Sequence, residues 1–255
     1  MKIPSPLFIF PSFDTRINAR KLERMASTRI LTPDEQFIAY YDRLRDEINK
    51  AHTYYEIAKA LREMRNTRCT EFSEALTFFS LTMNAHLFET IMSIGKFVDT
   101  RGDSLHLNNF FRFIEQNKKL FSTASFKQRL LAQGHDSDYC EHFVEMHHAV
   151  TDEMVERDKA KIRSLPVRNL IAWRHKKLAH IEKRLVTENI DIMKEKPVTI
   201  QEIDTILVTL HEIVDRYRTA FDGVQWILGL PPAKPQIEYI MDAISFYRKS
   251  RKERK

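Results

Sequence analysis

Thr32-Pro33-Asp34-Glu35, followed at helical spacing by Phe37, Tyr41, Leu44 and Ile48, decides the fold class. A threonine ahead of a proline, with a glutamate three residues on, is a capping box. The hydroxyl accepts from a backbone N–H of the first turn, the carboxylate reaches back to the cap N–H, and proline at the first helical position loses no bond. The pattern predicts a long helix from residue 33 toward Leu61. Thr199-Ile200-Gln201-Glu202 repeats the signal and predicts a helix to about Leu228, closed by Gly229 and Pro231-Pro232. Between these two starts, apolar spacing predicts helices over about 71–98, 105–120 and 125–132, then a turn at Gln133-Gly134-His135-Asp136-Ser137-Asp138 and a helix to about Arg163. Pro166 redirects the chain into a further helix that reaches about Val186. With only five glycines in 255 residues and no strand-like alternation, an almost entirely α-helical protein is expected.

Composition bounds the rest. A 255-residue chain with 43% hydrophobic and 30% charged residues can bury a substantial core and suits a soluble protein. Three segments are expected: an irregular arm over 1–31, a helical domain over 32–229, and a hinge at Ala233-Lys234-Pro235 within 230–255 that leads to a short helix, about 236–247, and a basic tail. The apolar run from Pro4 to Pro11 is short and broken by prolines, far from the ~20 residues a membrane span needs, so no membrane partner and a cytoplasmic location are expected. Cys69 and Cys140 lie far apart and outside any Cys-x-x-Cys pattern, so they are expected to be small core residues.

The net charge of +6 is unevenly placed. Residues 157–184 hold ten Lys or Arg against Asp158 and Glu182, a balance of +8, and residues 248–255 add +5, so the remainder sums to −7. Such a distribution fits a polyanion-binding face, although a solvated helix face gives the same pattern.

The basic segment contains Trp173-Arg174-His175-Lys176-Lys177-Leu178-Ala179-His180. Its helix has an apolar stripe of Val167, Leu170 and Ile171, then Leu178, Ile181 and Leu185, and the slot between the two halves holds Arg174. An arginine on a buried face must meet a carboxylate or point into a cleft where anions exchange. His180 lies six positions on, about 120° around the axis and about 9 Å along it. Histidine exchanges protons near its unperturbed pKa of about 6.5, and the guanidinium fork holds a phosphate by two bonds. Together they suit metal-independent cleavage of RNA, with a site completed by two copies across a dimer; a structural Arg174 ion pair and a core histidine would look the same in sequence.

Arg174-His175-x4-His180 resembles the Arg-[Asn/Asp/His]-x(4–6)-His signature of the HEPN superfamily, and its Trp-Arg-x-Lys-x-Leu-Ala-His form is similar to the abortive-infection branch. Ile94-Gly95-Lys96-Phe97-Val98-Asp99 followed by Ser104-Leu105-His106-Leu107 extends the resemblance, which covers roughly residues 34–186. The resemblance implies a HEPN-like antiparallel helical bundle with additional C-terminal helices, dimeric, with Arg174 and His180 as the catalytic pair and His175 in support. It implies RNA as substrate, with Lys176, Lys177, Lys183 and Arg184 as its phosphate-binding neighbours. It also implies a toxin or antiphage role with an antitoxin as a further candidate partner, and no cofactor or metal. Other members of the superfamily are inactive RNA- or protein-binding modules, the alternative reading here. Where an Asp often follows the final His, this chain has Ile181-Glu182, and Arg168-Asn169 to His175 is a second register of similar form.

Other constellations are weaker. Glu141, Glu145 and His148 on one segment and His86 and Glu89 on another form only half of a di-metal carboxylate bundle. His142, His147 and His148 read as a polar helix edge, and Phe72, Phe78, Phe79, Phe88 and Phe97 are spaced as core. No Gly-rich phosphate loop or Ser-centred elbow is present, which argues against nucleotide-driven and hydrolytic-triad enzymes.

Overall fold

The structure, a computed structural model, describes residues 30–98, 105–175, 187, 191–229 and 233–253. Among the described residues there is no strand. The helices are α1 (Pro33–Thr67), α2 (Cys69–Glu74), α3 (Leu76–Val98), α4 (Leu107–Gln116), a 3-10 turn (Lys118–Phe121), α5 (Thr123–Ala132), α6 (Ser137–Met146), α7 (Asp152–Ser164), α8 (Arg168–Trp173), α9 (Ile192–Glu195), α10 (Ile200–Asp222) and α11 (Ala233–Glu253).

Both capping boxes form. Thr32 Oγ1 accepts from the Glu35 N–H at 3.3 Å while the Glu35 carboxylate accepts from the Thr32 N–H at 2.9 Å, and Thr199 with Glu202 repeats the exchange. From its cap α1 runs 35 residues and lies along α3, with α10 and α11 packed on it as well. Its buried row, Phe37, Tyr41, Leu44, Ile48, Ala51 and Tyr55, enters the main core. Phe37 there meets Phe110, Phe121 and Phe221, with ring centroids 4.5–6.0 Å apart. Farther along, Leu61 and Met64 join Phe72 and Phe79 and the α11 residues Ile237 and Met241 in a second core.

Several helix boundaries depart from the expected pattern. The segment expected as one helix over 71–98 is broken at Ala75, whose φ of −134° and ψ of 44° are not helical. The break turns Phe78 outward at 64% exposure, so it is not core as expected. Cys69, also expected in the core, is exposed at the start of α2, while Cys140 is buried. The helix expected to continue to Arg163 is two: α6 ends at His147, whose ring stacks on Phe126 at 4.2 Å, and Thr151 caps α7 by accepting from the Met154 N–H. The last long helix stops at Gly223 rather than Gly229, because Gly223 takes a left-handed φ of 75° and donates to the Thr219 carbonyl. The final helix runs from Ala233 to Glu253, longer than the 236–247 that periodicity suggested.

Arg129 clamps four elements. Its Nε and Nη2 donate to Asp34 at the start of α1, at 2.9 and 2.7 Å. Nη1 donates to the Leu120 carbonyl of the 3-10 turn and the Phe221 carbonyl of α10, at 2.6 and 2.9 Å. The guanidinium also lies 3.5 Å from the Phe221 ring centre. Asp34 is half exposed, so the ion pair adds little, and the two carbonyls that would be left without a donor dominate. Arg129→Met is expected to lower stability by about 2 kcal/mol, read from the urea midpoint.

His52 on α1 is buried, and burial holds its pKa below the ordinary histidine value, with the Leu207 backbone pulling the other way. The unfolded chain therefore takes a proton near pH 6.5 that the folded chain resists, so stability falls as pH drops below about 6.5. His86 is shifted in the same direction. Urea midpoints between pH 7.5 and 5.5 should fall less steeply for His52→Leu than for the wild type, and parallel curves would exclude His52 as a contributor.

Candidate functional site

The motif segment begins on α8, a short helix pinned along one side. Leu170 and Trp173 are buried, Trp173 Nε1 donates to the Lys196 carbonyl at 2.7 Å, and Asn169 Nδ2 donates to the Pro197 carbonyl at 2.9 Å. These bonds tie α8 to the strap that joins α9 to α10. They also assign Asn169, the polar residue of the second motif register, to holding the backbone, while Arg168 beside it is exposed.

After Trp173 the backbone widens into a π-helical turn at Arg174 and His175, a departure from α geometry that often marks functional sites. Both residues are half-buried. Arg174 crosses α3 at Gly95. A Cβ built on Gly95 would lie 2.4 Å from Arg174 Cδ and 2.9 Å from its Nε, so only glycine leaves room for the side chain there. Arg174 Nη1 donates to the Gly95 carbonyl across a long 3.4 Å. That carbonyl is in the last turn of α3, where carbonyls lack partners within the helix and the helix dipole favours a cation. Beside it, Lys96 reaches Glu47 of α1 at 2.7 Å, and Glu47 also holds Arg43 at 2.8 Å. Two cations thus occupy the nearly buried carboxylate under the neighbouring position and lock α3 to α1 at the point where Arg174 rests.

The structure places Arg174 half-buried against Gly95 of α3, with His175 next to it, while Leu178, Ile181 and Leu185, the second half of the expected stripe, lie outside the described residues. His180, Lys176, Lys177, Lys183 and Arg184 lie outside the described residues. Gly95 is the residue that sequence reasoning missed, although a glycine inside an apolar helical run is a recognised sign of close approach.

The other candidate clusters have structural duties. Glu141 is paired with Lys127, Glu89 lies 3.7 Å from Lys50, and His86 stacks on Tyr54. Among the described residues, no group of three or more His, Cys, Asp or Glu side chains could hold a metal ion. His147, expected on a polar edge, is instead part of the packing: its Nε2 lies 3.0 Å from the Ala220 carbonyl and its Nδ1 3.3 Å from Thr123 Oγ1. Among the described residues no helix is long and apolar enough to cross a membrane.

The Gly95 slot can be probed directly. Alanine is about 1 kcal/mol better than glycine in a helix interior, so α3 should survive Gly95→Ala and the overlap should be relieved by movement of Arg174. The expected outcome is an unchanged far-ultraviolet circular dichroism spectrum with a displaced Arg174 Nε–H resonance. An undisturbed Arg174 signal would show that Gly95 does not seat it.

The HEPN_AbiU2 family model, described as AbiU2, matches residues 34–243. No curated protein and no solved structure matches the chain. The match runs beyond the motif region through α10 and into α11, over an all-α architecture with the motif arginine seated on α3. On that span this chain belongs to the AbiU2 family of HEPN-type, abortive-infection proteins.

Proposed function

We propose that this protein is a metal-independent endoribonuclease of a toxin or antiphage system, acting in the cytoplasm as a homodimer that an antitoxin restrains. The observation that carries the reading is the position of Arg174, a fixed cation at the half-buried edge of the motif helix, held over Gly95 where a larger residue would exclude it.

In the reaction, the ribose 2′-oxygen loses its proton and forms a bond to the adjacent phosphorus while the bond to the 5′-oxygen breaks. The 5′-oxygen takes up a proton, leaving a 2′,3′-cyclic phosphate and a 5′-hydroxyl. His180, present once in each copy of the dimer, serves as the base that removes the first proton and the acid that delivers the second. Arg174 stabilises the charge that builds on the phosphorane oxygens, with its bidentate fork matched to two of them. His175 supports the pair, and Lys176, Lys177, Lys183 and Arg184 hold neighbouring phosphates.

One observation favours a second reading, a binding module without catalysis. The bond from Arg174 to the Gly95 carbonyl caps α3, a structural role that needs no substrate.

Incubation of total RNA in EDTA with wild type, Arg174→Ala and His180→Ala separates the two. Cleavage requires fragments with cyclic phosphate ends from the wild type and none from either variant, with Arg174→Ala melting within a few degrees of wild type. Intact RNA throughout, with a large fall in the melting temperature of Arg174→Ala, would establish the capping role instead.

A further inference from the structure

A groove lies between α1, α3, α8 and the start of α10, with a cavity volume of about 230 Å³. Its floor is apolar and includes Tyr55, Trp173 and Ile203. The polar atoms of the two aromatics are already used: Tyr55 donates its hydroxyl to the Ile200 carbonyl at 2.8 Å, and Trp173 its indole N–H to the Lys196 carbonyl. Both rings are almost wholly buried within the floor, and the partly exposed Met83, Leu87, Val198 and Ile200 present its apolar surface. Its rim is cationic. Lys59, Arg62 and Arg65 stand three residues apart on α1, a slanting row about 9 Å long.

Two of these cations are unusual for their helix. On α1, Arg43, Arg45, Lys50 and Lys59 each pair with an acidic side chain, as does Arg68 at its C-cap. Arg62 and Arg65 are exposed, and among the described residues neither has an ion-pair partner. Leu87 of α3 lines the same groove, and Gly95 lies eight residues farther along that helix, about 12 Å away. Trp173 lines the groove as well and is followed directly by Arg174, so the groove and the arginine slot are neighbours along α3 and α8.

We propose that this groove binds single-stranded RNA, with a base over its apolar floor and flanking phosphates on Arg62 and Arg65, and delivers the strand to Arg174. The proposal rests on the ribonuclease reading and assigns the path by which its substrate reaches the site. Alternation of an apolar floor with cations at the mouth matches a strand that alternates bases with phosphates, each a separate contact. An acidic protein segment would meet the arginines but leave the floor without a complement.

The test uses the full chain carrying His180→Ala, so that bound RNA is not cut, and a fluorescein-labelled single-stranded oligoribonucleotide of mixed sequence. Anisotropy across a salt series gives the affinity and its salt slope for this parent, for Arg62→Gln/Arg65→Gln and for Arg62→Lys/Arg65→Lys. The glutamine variant is expected to bind at least tenfold more weakly, with a salt slope reduced by about 1.4, the value for two lost phosphate contacts on a single strand. The lysine variant should restore the slope. Both should melt with the parent, because the two arginines are exposed and, among the described residues, make no ion pair. A 4-thiouridine probe should cross-link to peptides containing Leu87 or Ile200, which line the groove and are partly exposed.

Equal affinity and slope in the parent and the glutamine variant would overturn the groove while leaving the ribonuclease reading standing. A parent that binds no RNA would overturn both. Competition by polyglutamate of equal length as effective as unlabelled RNA would assign the groove to an acidic protein and overturn the proposal. Loss of cutting in Arg174→Ala with RNA binding retained would separate failure of the chemistry from failure of the path.

Discussion

The burial of one long face of α1 is the constraint on which the rest of the structure depends. A 35-residue helix extends about 52 Å, longer than one small core can cover, so α1 enters two. Phe37, Tyr41, Leu44, Ile48 and Tyr55 fill the first, and Leu61 and Met64 the second. Ala51, Ala58 and Ala60 are buried between the larger residues and let neighbouring helices approach closely. The outward face is a ladder of ion pairs, each worth little by itself, that keeps the helix solvated. Because α3 lies along α1, the position of its last turn, and of Gly95 within it, follows from this packing.

The motif arginine is governed by a balance between burial and charge. A guanidinium on a buried stripe needs a polar partner, and the last turn of α3 supplies one in the Gly95 carbonyl together with the negative end of a helix dipole. Arg174 sits half-buried over Gly95 at the end of α3, whereas Arg129 clamps α1, α5 and α10. Arg129 makes four bonds of 2.9 Å or less and lies against an aromatic ring, as a structural arginine does.

Local signals were legible where the chemistry is local. Thr32 with Glu35 and Thr199 with Glu202 specify helix starts through bonds within a single turn, and the structure forms both. Breaks were less legible. Ala75 has no propensity to end a helix; the chain bends there and leaves Phe78 outside while Phe79 packs inward. The gap after His147 exists because its ring stacks on Phe126 and reaches Ala220 of another helix, contacts between residues more than 20 positions apart. Thr151 with Asp152 and Glu153 was a readable cap inside a segment whose periodicity masked it. Two glycines competed to close α10, and Gly223 takes the left-handed turn because Asp222 and Phe221 are already buried against α5 and α1.

By itself the sequence determined the all-α class, the starts of the two helices that open on capping boxes, and the basic segment with its candidate arginine, because capping and periodicity act over a few residues. Only the tertiary structure decided what that arginine rests on. Gly95 and Arg174 are 79 residues apart, and nothing local to either encodes the contact. The same holds for the groove that joins Arg62, Arg65 and Trp173, residues on two helices brought together by apolar burial that is blind to sequence separation.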